Sequence, residues 1–140
     1  MRVLHVLDHS LPLHSGYAFR TKAIMRAQST HNLRVRGITG PRHSAEGPES
    51  ETCEGLRFHR TPAAPPGPPL VREWREVCAH TDAIVGLARE WRPDVLHAHS
   101  PALAGLAAVR AGKRLGIPVV YEIRAFWEDA AVGNGTGAEG

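Results

Sequence analysis

Cysteine is scarce in this 140-residue chain, with Cys53 and Cys78 the only two. Nothing at the start reads as a secretory signal, because residues 1–8 hold one basic residue and too short an apolar run. The two thiols are therefore expected to stay free, Cys53 in a loop and Cys78 on a helix face. No stretch approaches the roughly 20 apolar residues of a membrane span. These gaps together point to the cytoplasm.

Several chemical signatures are missing as well. There is no Gly-x-Gly-x-x-Gly fingerprint and no P-loop with its Gly-Lys-Ser/Thr. Without a Gly-x-Ser-x-Gly elbow, covalent hydrolase chemistry has little support. Nine histidines are present but dispersed, and no Cys-x-x-Cys or His-Glu-x-x-His accompanies them, so no metal centre is expected. Acidic residues number 14 against 17 basic ones, a net charge of +3 carried mostly by arginine. That excess tolerates an anionic partner such as a phosphate group, but it is far from the basic footprint of a nucleic-acid binder.

What is present is an alternation of short apolar runs and amphipathic stretches. Strands are expected at residues 3–7, 33–39, 56–61, 94–99 and 119–123, and helices at 17–29, 71–91 and 101–115. In the first helix Phe19, Ala23, Ile24 and Ala27 recur at helical spacing. In the second, Trp74, Val77, Cys78, Thr81, Ile84, Val85, Ala88 and Trp91 form one stripe, with Glu76 among the charged residues off it. Residues 40–55 read as a mobile loop, and the five prolines within 62–69 as an extended connector. The pattern implies a Rossmann-like α/β fold, a mostly parallel sheet with helices on both faces. The Gly-rich end, 129–140, has no closing element, as though the chain stops in mid-domain.

Ligands of open parallel sheets sit at the carboxyl ends of the strands, which singles out particular residues. Ser100 suits a helix N-cap and Pro101 the first helical position, with Gly116 and Pro118 as the stop. Gly16, after Ser15, opens the first helix, where bare backbone and unpaired N–H groups can approach an anion; the alternative is an ordinary capping glycine. His97 and His99 share a strand face. His97, in mid-strand, is expected in the core, whereas His99 lies at the ligand end. Glu122 and Arg124 also share a face, either as an ion pair or with Arg124 as an anion clamp.

Taken together, three ordered blocks resemble the N-terminal half of family-4 glycosyltransferases, two-domain enzymes of the GT-B fold. They are MRVLHVLDHSLPLHSGYAFR, RPDVLHAHSP and LGIPVVYEIRAFWED. The wording is most similar to the glycosyltransferases of exosortase (PEP-CTERM) exopolysaccharide loci. The resemblance implies retaining transfer from a nucleotide-sugar donor to a glycan or polyprenyl-linked acceptor, without a metal or other cofactor. Peripheral contact with the inner face of the membrane goes with such an acceptor. Gly16, with Ser15 and Ser100, would serve the donor phosphates; His99, Glu122 and Arg124 would serve catalysis, although many relatives carry histidine at the position of Arg124. Residues 1–140 would then form the acceptor-side domain, with the C-terminal donor-binding domain absent and the fragment inactive by itself. The competing reading is a non-catalytic domain that binds a phosphate-bearing ligand or a partner protein.

Overall fold

The computed structural model describes residues 1–13, 15–43, 49–100 and 102–123. Six strands and three helices follow in the order β1 (Arg2–Leu7), α1 (Gly16–Thr30), β2 (Arg34–Thr39), β3 (Ser50–Cys53), β4 (Leu56–Arg60), α2 (Pro69–Trp91), β5 (Val95–His99), α3 (Ala102–Leu115) and β6 (Val119–Glu122). They form one sheet in the order β3-β4-β2-β1-β5-β6, parallel except for the antiparallel edge strand β3.

β3 corrects the expected mobile loop. A two-residue turn at Glu54 and Gly55, both with positive φ (50° and 82°), folds β3 back on β4. Positive φ at both turn positions matches the right-handed twist of the strands it joins. Cys53 accordingly lies in a strand and not in a loop. The proline run ends one residue earlier than expected, because Pro69 is the first residue of α2, where a missing N–H costs nothing.

Helices α2 and α3 cover one face of the sheet. There Leu4, Val6, Ile38, Leu96 and Ala98 pack against Val77, Ile84, Trp91, Ala104, Ala108 and their neighbours. Trp74 departs from its expected place in that stripe: it is 50% exposed, and the Arg110 guanidinium covers its ring at 4.6 Å. Glu76 departs in the opposite sense, being buried against Arg42, which neutralises its charge.

α1 lies on the other face, and its orientation differs from the expected one. Ala18, Thr21 and Met25 are buried, while Phe19, Ala23 and Ala27 face solvent. A smaller apolar cluster of Leu7, Leu11, Ala18, Met25, Leu56 and Phe58 fills this side near β2 and β4. Gly37 of β2 is required there, since a Cβ would stand 2.7 Å from the buried Phe58 ring.

Helix α3 stops as the sequence suggests. Gly116 takes a left-handed φ of 69°, and the Ile117 N–H donates to the Gly112 carbonyl at 3.0 Å. Pro101 lies outside the described residues.

Candidate functional site

Strand order reverses between β1 and β5, since the chain runs outward through β2 and β4 and then returns to the other side of β1. A crevice opens at such a switch point at the carboxyl ends of the strands. The described residues that flank it are 8–13, 15 and 16 after β1, and Ser100 after His99 of β5.

The first of these is held by a relay of hydrogen bonds. His9 Nδ1 donates to Asp8 Oδ2 (3.0 Å), the Ser15 hydroxyl bonds His9 Nε2 (2.8 Å), and the Ala18 N–H donates to Ser15 Oγ (3.0 Å). Tyr17 completes the arrangement, its hydroxyl accepting from the Asp8 N–H at 3.1 Å and its ring packing 4.5 Å from that of His9. Ser15 is thus the side-chain N-cap of α1, and its oxygen is committed to that task. The positive end of the α1 dipole faces the crevice, with no acidic residue in its first turn. Gly16 is exposed, and a Cβ there would meet nothing within 4 Å. Neither packing nor a left-handed φ requires glycine at this position.

Arg60, at the end of β4, ties the crevice wall together. Its guanidinium donates to Ser10 Oγ, the Leu11 carbonyl and Glu51 Oε1, each at 2.6 Å, and to Thr39 Oγ1 at 3.3 Å. A charged group is tolerated so deep because an ion pair and neutral acceptors surround its two terminal nitrogens. Sequence reading missed Arg60. Its partners lie on three other segments, and no local spacing announces them.

A chain of polar side chains crosses the sheet beside the crevice. Parallel register sets His5 of β1 opposite His97, and His99 opposite Glu122 of β6. Gln28 Oε1 lies 2.7 Å from His5 Nε2, His5 Nδ1 lies 2.7 Å from His99 Nε2, and His99 Nδ1 lies 3.1 Å from Glu122 Oε2. His97 stacks on His99 with centroids 4.5 Å apart and planes 7° from parallel. The two histidines share a face as expected, but their burial is the reverse of the expected order. His99 is fully buried and His97 only half-buried. The cause is the covering on each side: β1 and β6 enclose His99 through His5 and Glu122, whereas His97 lies beside Val120, which is 53% exposed. A third histidine, His5, joins the pair, and the ring nitrogens of all three lie within 4.8 Å of one another. Its sequence signal was an imidazole in the middle of the apolar first strand, visible only once β1 is known to pair with β5.

Ser100 follows His99 directly, its N–H donating to the Glu122 carbonyl at 3.0 Å, so the ends of β5 and β6 are locked together. Of the residues singled out in the sequence, Ser15 and Gly16 flank the crevice from β1, and His99, Ser100 and Glu122 adjoin it from β5 and β6. Arg124 lies outside the described residues. Three other histidines, His43, His59 and His80, are held near pKa 4. Burial is the main cause in each; neighbouring arginines add to it for His43 and His59.

Fold and crevice together define a Rossmann-like domain with its ligand end at the β1/β5 switch point. Residues 15–139 match the glycosyl transferase 4-like domain, and the chain belongs to that family. It is 29% identical over 133 residues to the GDP-mannose-dependent alpha-mannosyltransferase of Mycolicibacterium smegmatis, a match covering 86% of this chain and 31% of that protein. The fold is shared with the catalytic domain of starch synthase IV from Arabidopsis thaliana bound to ADP and acarbose, with a TM-score of 0.64 and 15% identity over 87% of this chain and 33% of that one. It is also shared with the glycosyltransferase SsfS6 of Streptomyces sp. SF2575 complexed with thymidine diphosphate, with a TM-score of 0.61 and 20% identity over 88% and 38%. The chain thus spans about a third of the length of these proteins.

Proposed function

We infer that this chain is the acceptor-side domain of a retaining glycosyltransferase, which moves a sugar from a nucleotide-sugar donor to a glycan or polyprenyl-linked acceptor. In this reading a donor-binding domain lies outside these 140 residues and closes over the crevice. The resemblance of the motifs supports a role in exopolysaccharide assembly, at the inner face of the membrane and reached from the cytoplasm. Donor and acceptor are substrates, and no cofactor is called for.

The observation that carries the reading is Gly16 at the mouth of the switch point. A glycine that the fold does not need is explained by a ligand that needs bare backbone, and the N-terminus of α1 suits a diphosphate. Ser15 acts by capping that helix and Ser100 by locking β5 to β6, so both position the phosphate site. Glu122 is a catalytic candidate at the end of β6, and Arg124, which lies outside the described residues, is kept as the second from the sequence. His99 is too deep to touch substrate and orients the Glu122 carboxylate through its Nδ1 contact.

The test is a panel of GDP-, UDP-, ADP- and dTDP-sugars offered to the full-length protein with a polyprenyl-linked acceptor. Turnover with one donor and retention of the anomeric configuration are expected, with no transfer by residues 1–140 alone. Robust turnover by the isolated 140 residues would remove the two-domain reading. Ligand binding by the full-length protein without transfer from any donor would favour the non-catalytic alternative.

A further inference from the structure

His5, His97 and His99 converge from two neighbouring strands, each offering a ring nitrogen to one small volume. Contacts behind two of the rings determine which nitrogens face inward. Glu122 Oε2 accepts the Nδ1 proton of His99, which leaves His99 Nε2 with its lone pair. Gln28 Oε1 accepts the Nε2 proton of His5, which leaves His5 Nδ1 with its lone pair. These two nitrogens face each other across 2.7 Å. Two lone pairs at that distance repel unless a proton or a metal ion lies between them, and the grouping of a third imidazole around the pair favours the metal ion.

We propose that the three imidazoles form a binding site for a divalent transition ion of the Zn²⁺ class, held through His5 Nδ1, His99 Nε2 and a ring nitrogen of His97. Three neutral imidazoles are a donor set that such an ion takes, with the fourth position left to water. A carboxylate behind one ligating histidine and an amide oxygen behind another are the outer contacts that fix tautomers and raise ligand basicity. Glu122 also supplies negative charge next to the ion. Tetrahedral bonds of about 2.0–2.1 Å separate donor nitrogens by about 3.3 Å, so the facing pair opens by about 0.6 Å while His97 closes in. Ring rotations supply movements of that size. Half-buried His97, beside exposed Val120, gives the ion its path from solvent. An ion here would join β1 to β5 at the switch point and would share His99 and Glu122 with the sugar-transfer reading above.

The experiment is titration of the full-length protein with Zn²⁺ alone, by calorimetry and by thermal melting. His97→Ala and Glu122→Gln are run in parallel, with far-UV circular dichroism to verify folding. Expected are one ion per chain at this site, a rise in Tm with added Zn²⁺, and loss of the site in His97→Ala. Glu122→Gln should bind at least about tenfold more weakly. Substitution of Co²⁺ into the unmodified protein, with the visible bands of a tetrahedral nitrogen-rich site, gives a readout that needs no variant. Absence of both a Zn²⁺-dependent Tm rise and those bands would overturn the proposal. It would show that a proton fills the gap, with His5 Nδ1 donating to His99 Nε2. Undiminished one-to-one binding in His97→Ala would place the ion on other histidines and overturn it equally.

Discussion

The two faces of β1 and β5 differ in chemistry. Toward α2 and α3 the strands present Leu4, Val6, Leu96 and Ala98, all buried and all apolar. Toward α1 they present His5, His97 and His99 beside the apolar Leu7, with Gln28 and Glu122 completing the polar chain. The first face contributes stability through burial and close packing, which need no particular partner chemistry. The second is satisfied only if each ring nitrogen meets its counterpart, and such networks specify one arrangement at high stakes. Helix α1 follows this division: Thr21 and Gln28 face inward with Ala18 and Met25, whereas Phe19 is left 44% exposed.

The contrast is broken most severely from the apolar side. Leu96→Ala removes a fully buried side chain between the sheet and α3, and should cost about 3 kcal/mol in denaturant unfolding. Gly37→Ala comes next. Its Cβ would stand 2.7 Å from Phe58, whose buried ring has no room to move, so a loss of about 2 kcal/mol is expected. Gly105→Ala sharpens the point, because its still closer neighbour, the Tyr121 ring, is 40% exposed and can swing aside. It should cost less than about half as much as Gly37→Ala.

Acidification acts through other histidines. His43, His59 and His80 are held near pKa 4 by burial, against an ordinary 6.5. Between those values the unfolded chain binds protons that the folded chain refuses. Stability therefore rises with pH through that window: the contribution is whole above pH 6.5 and lost as pH falls toward 4. Melting curves should show Tm lower by about 5 °C or more at pH 5 than at pH 7. A Tm that is flat over this range would show these histidines to be solvated. The smallest of these effects on stability is expected from His97→Ala in chelator-treated protein, a loss under about 1 kcal/mol, since His97 is half-buried. His99→Ala, which removes a fully buried ring held by Glu122, should exceed it clearly.

Much of this was legible in the sequence. The alternation of apolar runs and helices, and the stop at Gly116, follow local rules that hold whatever packs around them. The parallel sheet then follows from short strands joined by helices. What escaped depends on distant partners. β3 has a weak polar pattern and exists because β4 lies beside it. Trp74 and Phe19 sit at periodic positions yet point outward, since Arg110 and Lys22 cover their rings in place of a core. The His97–His99 face was readable from strand alternation, but not the burial order, which His5 and Glu122 determine from other strands. Arg60 could not have been found from its neighbours in sequence at all.

Both faces keep the strands in place, yet only the strand ends face the crevice, and Gly16 is where that division can be measured most directly. Gly16→Val in the full-length protein should leave Tm within about 2 °C of the parent, because a Cβ there meets nothing. Sugar transfer should fall by at least about a hundredfold, roughly 2.7 kcal/mol of lost transition-state binding, as the branched side chain blocks the diphosphate from the α1 N-terminus. Unchanged kcat/KM at unchanged Tm would contradict a donor-phosphate role for this helix, and would leave Gly16 a connector.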